Sequence, residues 1–556
     1  MAMKKIKVFL LATIVLLLAG CEDFLDINKD VNSPTEPTID QLLPGIMYDI
    51  ADDFSIGYAK LGYACAVYVH QLTTRQPEYD DYNISGSSYA VDTYWADLYA
   101  GPAEDLKLLI QMGEESDNLI YAGIGKIIKA YLFSMMVDLW GDIPYTEANS
   151  NSEGITKPVF DNDEQIYAAL FTLIDEGIAD INNADAENIL VPGADDLIYG
   201  GDTDQWIKMA KTLKLKMYNQ VRLVSMYSQS AVDALLADEL IGPGDDFMLP
   251  FGPSDAPENR HPAFVSEYGG SQISNYLSPW FYEKMMGMNP DILTGIQDPR
   301  IPYYWVNQLA TGETPENPPE YKDGNFNTIY FGSTGPNRDH AGRASFTMMG
   351  MYPCGGRYDD GTGMSVNGAT APFGSDDGTG AAPQRFITYA DRLYIEAELM
   401  QAGLVTGDVA AKLEEAMYAS FEQVDMVVAM VSSGQDVPVL SGSGADTAYV
   451  TAVLAQFNSA GAAKQMEIIL TEKWISLWGN TMDAYTDYRR TGYPVRFDAN
   501  SNGGTQWQGA DGTAPVPTQE TRAYPLSFPY DKDEVILNNN CTQKVVSTSN
   551  VFWDVN

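Results

Sequence analysis

Histidines are the first residues to test for chemistry. His70, His261 and His340 are widely separated, and none sits in an HExxH or similar spacing, so the sequence offers no zinc site. There is no GxSxG elbow or Walker loop, and Gly361 and Gly363 lack the third glycine of a GxGxxG loop. Carboxylates are too numerous for sequence to single out the pair a glycosidase needs. The turns holding Asp359, Asp360 and Asp376, Asp377 offer oxygen ligands for a structural calcium, but neither has EF-hand spacing and a solvated loop is the simpler reading. No catalytic residue and no other metal or cofactor is expected. What the residue types support is binding without bond making.

Sugars present apolar C–H faces and rings of hydroxyls, so a glycan site needs flat aromatics to stack on and amides, Arg or Asp at their edges. The stretch from Thr73 to Tyr94 supplies that mixture in Arg75, Gln76, Tyr79, Asp80, Tyr82 and Asn83. Trp95 opens the next helix and reads as core. Further candidate rings are Tyr276 and Trp305 in a loop-rich middle region and Trp507 in the tail. Core packing competes for every one of these rings.

The element that must hold such loops is the helix beginning at Leu119. Ile120, Ile124, Ile127, Tyr131, Met135 and Leu139 form one apolar stripe at steps of three and four, and Ala122, Phe133, Met136 and Trp140 make the other side nearly as apolar. Both faces should be covered by protein. A membrane span would place Lys126, Lys129 and Asp138 in lipid at roughly 2.5–3.5 kcal/mol each near its centre. The helix should end at Gly141, with Pro144 turning the chain away. Around it the periodicity predicts a helix from Pro44 to about Gln71, one from Tyr89 broken at Gly101 and Pro102, and one over Asp163–Ile181 capped by Asp161 or Asp163. Two more are predicted over Thr203–Tyr227 and Ser230–Leu240. From 241 to 385 Gly, Pro, Asn, Asp and Tyr replace the helical period; helices return over 386–402, 408–428 and 462–478, and a loop-rich tail fills 481–556. The fold class is mainly α, built of tetratricopeptide-like helix pairs in an α-α superhelix with a long irregular region and little strand.

Lys4, Lys5 and Lys7 precede an apolar run and then Leu18, Ala19, Gly20 and Cys21, so residues 1–20 read as a signal peptide whose cut resembles a bacterial lipobox. Cys21 would become the lipidated first residue of a tether over 21–38, leaving one body over 39–556. The net charge is −43, which excludes nucleic acid as a partner. Cys65, Cys354 and Cys541 allow at most one disulfide, so no disulfide framework holds the fold.

Five phrases in order carry a family resemblance: CEDFLDINKD, VDLWGDIPYTEA, DQWIKMAKTLKLKMYNQVRL, DPRIPYY and EKWISLWGNTMDAYTDYRRTGYP. Together they resemble a SusD/RagB-type outer-membrane lipoprotein of the starch-binding-associated subgroup, over essentially the whole mature chain. The resemblance implies a cell-surface, lipid-anchored binder of oligosaccharides that serves as a lid on a SusC-like TonB-dependent transporter. It also implies ligand residues after the first helix and in the irregular region. A lid with peptide or other nutrient cargo is the alternative. The phrases themselves read as fold-makers: Trp140, Gly141, Asp142, Pro144 and Tyr145 as a helix-ending turn, and Asp487, Arg489 and Arg490 as buried pairs or caps. The basic residues Lys208, Lys211, Lys214, Lys216 and Arg222 should offset neighbouring acidic helices.

Cys21→Ser is expected to move the protein from the membrane to the soluble fraction with its circular dichroism unchanged; unchanged partitioning would overturn the lipid anchor.

Overall fold

The computed structural model describes residues 37–74, 82, 84–269, 275–315, 319–333, 345–364, 378–495 and 523–556. The signal peptide, Cys21 and the tether to residue 36 lie outside these. Helix α1 (Ile39–Phe54) starts where the Gln41 side chain accepts the Thr38 N–H at 3.2 Å. Pro44 therefore lies inside α1 and does not open it, and the helix stops at Phe54 instead of running to Gln71. The chain turns through Ala59, at φ +63°, into α2 (Leu61–Tyr68). Helices α3 (Tyr89–Leu98) and α4 (Glu104–Glu115) are joined by a wide helical turn, Tyr99–Ala103, that contains Gly101 and Pro102.

The central helix α5 (Leu119–Trp140) is buried on both faces as its composition requires. It is the one described helix long and apolar enough to cross a membrane, and it is enclosed by protein. Its closest neighbour is α6 (Asp163–Ile181). A Cβ on Gly123 would come 2.6 Å from the Gly177 carbonyl, and one on Gly177 2.8 Å from the Gly123 carbonyl, so the two backbones touch where neither residue has a side chain. Gly141 ends α5 at φ +74°, and Asp142 accepts the Asp163 N–H at 2.8 Å. The cap of α6 is Asn162, not Asp161 or Asp163: Asp161 is already committed to the Tyr145 and Thr146 N–H groups at 2.9 and 2.8 Å, and Asp163 is the first helical residue.

Helix α7 (Thr203–Gln220) ends seven residues before the expected Tyr227, and α8 (Gln229–Leu236) follows. The middle region carries antiparallel two-stranded pairs: β1 (Leu72–Thr74) with β3 (Asn275–Leu277), β2 (Phe247–Pro250) with β8 (Pro383–Ile387), β4 (Trp305–Val306) with β7 (Met348–Met349), and β5 (Tyr321–Asp323) with β6 (Phe326–Thr328). It also holds α9 (Pro279–Met285). Helices α10 (Tyr389–Gln401), α11 (Val409–Val431), α12 (Ala445–Ser459), α13 (Ala462–Ser476), α14 (Thr481–Thr491) and α15 (Lys532–Leu537) complete the body. Three of these depart from the sequence expectation, the short α15 because it lies in the stretch read as loop-rich tail. α12 buries a sparse stripe of Tyr449, Val450, Val453 and Phe457 behind a Gly/Ser-rich lead, and α14, placed in the loop-rich tail, is too polar to show an apolar period. The thiols of Cys65, Cys354 and Cys541 are all free and buried.

Charge pairing joins the early helices to the late ones. Each lysine of the α7 stripe has an acidic partner, Lys208 with Asp245, Lys211 with Asp238, Lys214 with Asp175 and Lys216 with Asp483, and Arg222, in the turn just past α7, pairs with Glu398. Glu398 is wholly buried; Arg222 Nη2 meets it at 2.8 Å, Arg490 grips both its oxygens, and Asn219 donates to it at 2.9 Å. Burial alone would raise its pKa, but Arg490 and Arg222 hold it well below the carboxylate range. Asp487 continues the network, taking Arg490 at 2.6 Å and Lys473 at 2.7 Å.

Removing one partner of a buried pair strands a charge, at about 3–5 kcal/mol, whereas half-exposed pairs contribute about 1 kcal/mol or less. Arg222→Met leaves Arg490 on Glu398 and removes one charged hydrogen bond, so it is expected to lower unfolding free energy in urea by about 1.5–3 kcal/mol, and Lys211→Glu by about 1 kcal/mol or less. Equal losses would contradict this ranking.

Candidate functional site

A short ribbon brings the two candidate ligand stretches together. β1 pairs with β3 so that Leu72 faces Leu277, Thr73 faces Tyr276 and Thr74 faces Asn275. Every residue of both strands is buried, so the ribbon is set in the body and does not project from it. Thr74 leads directly into residues 75–81, and residues 270–274 lead into Asn275. The stretch after the first helices and the irregular region thus meet at this end of the ribbon.

The end of α13 fixes the ribbon. The last carbonyls of a helix have no partner within it. Here the Trp474 carbonyl accepts from the Gln71 side chain at 2.6 Å, Ile475 from the Tyr304 hydroxyl at 3.1 Å, and Ser476 from the Tyr352 hydroxyl at 3.2 Å. Arg385 donates to the Trp478 carbonyl and lies 4.1 Å over the Tyr352 ring. Gln71 immediately precedes β1, and its own carbonyl accepts the Ser278 N–H at 3.1 Å just past β3.

Behind the ribbon lies an aromatic base. His70 Nε2 and the Tyr82 hydroxyl are 2.7 Å apart, and both residues have left-handed backbones, at φ +57° and +60°. Bulky residues hold that conformation only where their surroundings impose it, and such positions cluster at binding sites. The Tyr82 ring packs on Phe331 at 5.0 Å, Tyr524 at 5.3 Å and Tyr68 at 6.1 Å. The His70 ring contacts Phe331 at 4.6 Å and Trp280 at 6.0 Å.

Three candidate rings need correction on this point. Tyr82 is 4 % exposed, Tyr276 is fully buried and Trp305 is 1 % exposed. Tyr276 packs on Phe346 at 5.0 Å, and Trp305 on Phe281 at 5.7 Å and Phe326 at 5.8 Å. Their rings pack on neighbouring aromatics and present no open face for a sugar. Tyr82 and Tyr276 join the base of the junction; Trp305 belongs to the core behind α9. Arg75, Tyr79, Asn83 and Trp507 lie outside the described residues.

Sequence reading missed a cleft elsewhere in the body. A cleft of about 610 Å³ opens between the DPRIPYY segment and residues 438–452, with Ile301, Pro302, Tyr303, Tyr358, Pro438 and Leu440 in its walls. Tyr303 and Tyr358 meet edge to face at 4.8 Å, and the Tyr303 hydroxyl donates to the Pro438 carbonyl at 2.7 Å. DPRIPYY itself was the available signal. Its charged residues serve the fold, since buried Arg300 pairs with Asp298 at 2.6 Å and Glu472 at 2.9 Å.

Burial pushes Glu283 up to about 7, the property of a general acid, but it accepts from the Tyr321 hydroxyl at 2.9 Å and is 5 % exposed. Asp359 accepts from Asn307 at 2.7 Å, while Asp360 accepts from Thr362 and Gln435 and pairs with Arg357. Asp376, Asp377 and His340 lie outside the described residues. Among the described residues no three His, Cys, Asp or Glu side chains converge as metal ligands.

A family model described as starch-binding and associating with the outer membrane matches residues 31–510. The chain belongs to this SusD-like family. Solved structures agree on its fold. A SusD/RagB family protein from Bacteroides thetaiotaomicron superposes with a TM-score of 0.66 at 16% identity, covering 94% of this chain and 99% of its own. A SusD homologue from Bacteroides fragilis gives 0.62 at 18%, covering 90% and 94%, and a chitin-binding protein gives 0.64 at 19%, covering 93% and 100%. Curated protein sequences give no match. The SusD-like fold is thus mostly helical, with its loops and short strands gathered in the middle of the chain.

Tyr82→Ala is expected to remove a core ring and lower stability by about 3–5 kcal/mol, seen as an early urea midpoint. Tyr79→Ala should leave the midpoint in place and weaken glycan binding several-fold. A stable Tyr82→Ala protein would contradict the burial argument.

Proposed function

We propose that this SusD-like protein is a binding protein without enzymatic activity, held at the cell surface by lipid on Cys21. It captures oligosaccharides at the β1–β3 junction and passes them to a TonB-dependent, SusC-like transporter on which it rests as a lid. The observation that carries this reading is the ribbon itself: it sets Thr74, which leads in sequence into Arg75, Gln76 and Tyr79, beside Asn275 of the irregular region, in front of an aromatic base. The family description, starch-binding and outer-membrane-associating, supports the cargo class and the location, and the chitin-binding name of one structural relative supports a glycan more broadly. Glu283, whose raised pKa is that of an acid catalyst, spends its carboxyl on a buried tyrosine, which supports binding over hydrolysis.

The test is calorimetry of the purified protein against maltooligosaccharides, chitooligosaccharides and a peptide mixture, with reducing-sugar release measured in parallel. Saturable glycan binding with no new reducing ends is expected. Peptide binding alone would change the cargo, and sugar release would overturn the non-enzymatic reading.

A further inference from the structure

Ile189, Leu190 and Val191 follow one another on the loop after α6 and are 76, 49 and 56 % exposed. Three consecutive aliphatic side chains left in water mark a contact surface. The loop beneath them is pinned. The Leu190 N–H donates to the Asn118 side chain at 2.9 Å, the Glu187 N–H to the Asp117 carboxylate at 2.8 Å and the Asn188 N–H to the Asp117 carbonyl at 2.9 Å. In return the Asn188 side chain accepts the Ile120 N–H at 3.1 Å, one of the donors that the first turn of α5 cannot pair within the helix. Asn188 has a left-handed backbone, at φ +42°, and the exposed residues begin directly after it.

The chain enters the body beside this loop. Asp195 accepts the Gly193 N–H through Oδ1 and the Tyr121 hydroxyl through Oδ2, both at 2.8 Å. Burial, then Asp195, then Asp40 in the first turn of α1 push that hydroxyl up. Asp40 and the loop thus share one neighbour. Residues 21–36 precede α1 in sequence; they are mostly polar and acidic, and their apolar members are Phe24, Leu25 and Ile27, with Val31 apart. Ile27 precedes Ile39 by twelve residues, a reach of up to about 43 Å. An anionic lipid surface is a poor occupant, because Asp185, Glu187 and Asp195 flank the patch in sequence.

We propose that Phe24, Leu25 and Ile27 dock on the side chains of residues 189–191, so that the N-terminal stretch is held against the body where α1 begins. The patch supplies aliphatic surface on a fixed loop, and the stretch that must pass it supplies apolar residues within reach. With lipid on Cys21, the contact sets this end of the body three residues from the anchor. Only that consequence rests on the lipid reading; the contact itself does not, and it is independent of the glycan site.

The test uses a soluble form of the chain that begins at Cys21→Ser, with hydroxyl-radical labelling of residues 189–191 and chymotrypsin cleavage after Phe24. Leu25→Asp, outside the body, should raise labelling of the loop about threefold or more, because labelling follows the undocked population. Leu190→Asp, at an exposed position, should speed cleavage after Phe24 about fivefold or more with the circular dichroism unchanged. Labelling and cleavage that stay the same in both variants would overturn the proposal. So would a patch that Leu25→Asp leaves unchanged and that becomes protected only on adding phosphatidylethanolamine vesicles, which would assign it to a lipid surface.

Discussion

The carbonyls at the end of α13 have no helical partner, and the way they are satisfied organises the centre of the molecule. Gln71, Tyr304, Tyr352 and Arg385 come from four separate segments and converge on carbonyls within five residues of one another. The Ile475 carbonyl also accepts the Trp478 N–H and the Ser476 carbonyl a second donor from Arg385, whereas loss of Gln71 would leave the buried Trp474 carbonyl unmet at about 1–3 kcal/mol. The irregular middle of the chain thereby gains a fixed point that its own short strands could not supply.

The same helix is held from its other side by charge. Lys473 reaches Asp487, which shares Arg490 with Glu398, and Glu398 also takes Arg222 from the turn after α7. In a chain with net charge −43, fully burying Glu398 requires two guanidiniums at one spot. The position of α13 follows from this network, and the position of the ribbon follows from α13. The base of the candidate site thus depends on ion pairs contributed by helices that carry none of its rings.

Much of this was legible in the sequence. The central helix, its Gly141 end and the pairing role of the α7 lysines follow from period and charge, and the ordered phrases pointed to the family. Helix ends were less legible: Thr38 with Gln41 outweighs Pro44 as a start signal, and Asn162 caps α6 because Asp161 is taken by the following turn. α14 was hidden because Asp483, Asp487 and Arg490 are buried among its apolar residues, where they meet Lys216, Lys473 and Glu398 from distant segments. Exposure of single aromatics was the least legible property. Tyr82 sits in a polar stretch with the composition of a surface loop, yet its left-handed backbone and its bond to His70 turn it inward. The 610 Å³ cleft was missed because its walls come from segments more than a hundred residues apart.

The buried ribbon also separates two kinds of evolutionary change. Its side chains and the Gln71 anchor belong to the core, so substitutions there are paid for in folding. Residues 75–81 and 270–274 adjoin the ribbon only in sequence. Changes confined to the ribbon's own residues are the ones that melting would report. The scaffold itself stays superposable at identities as low as 15%.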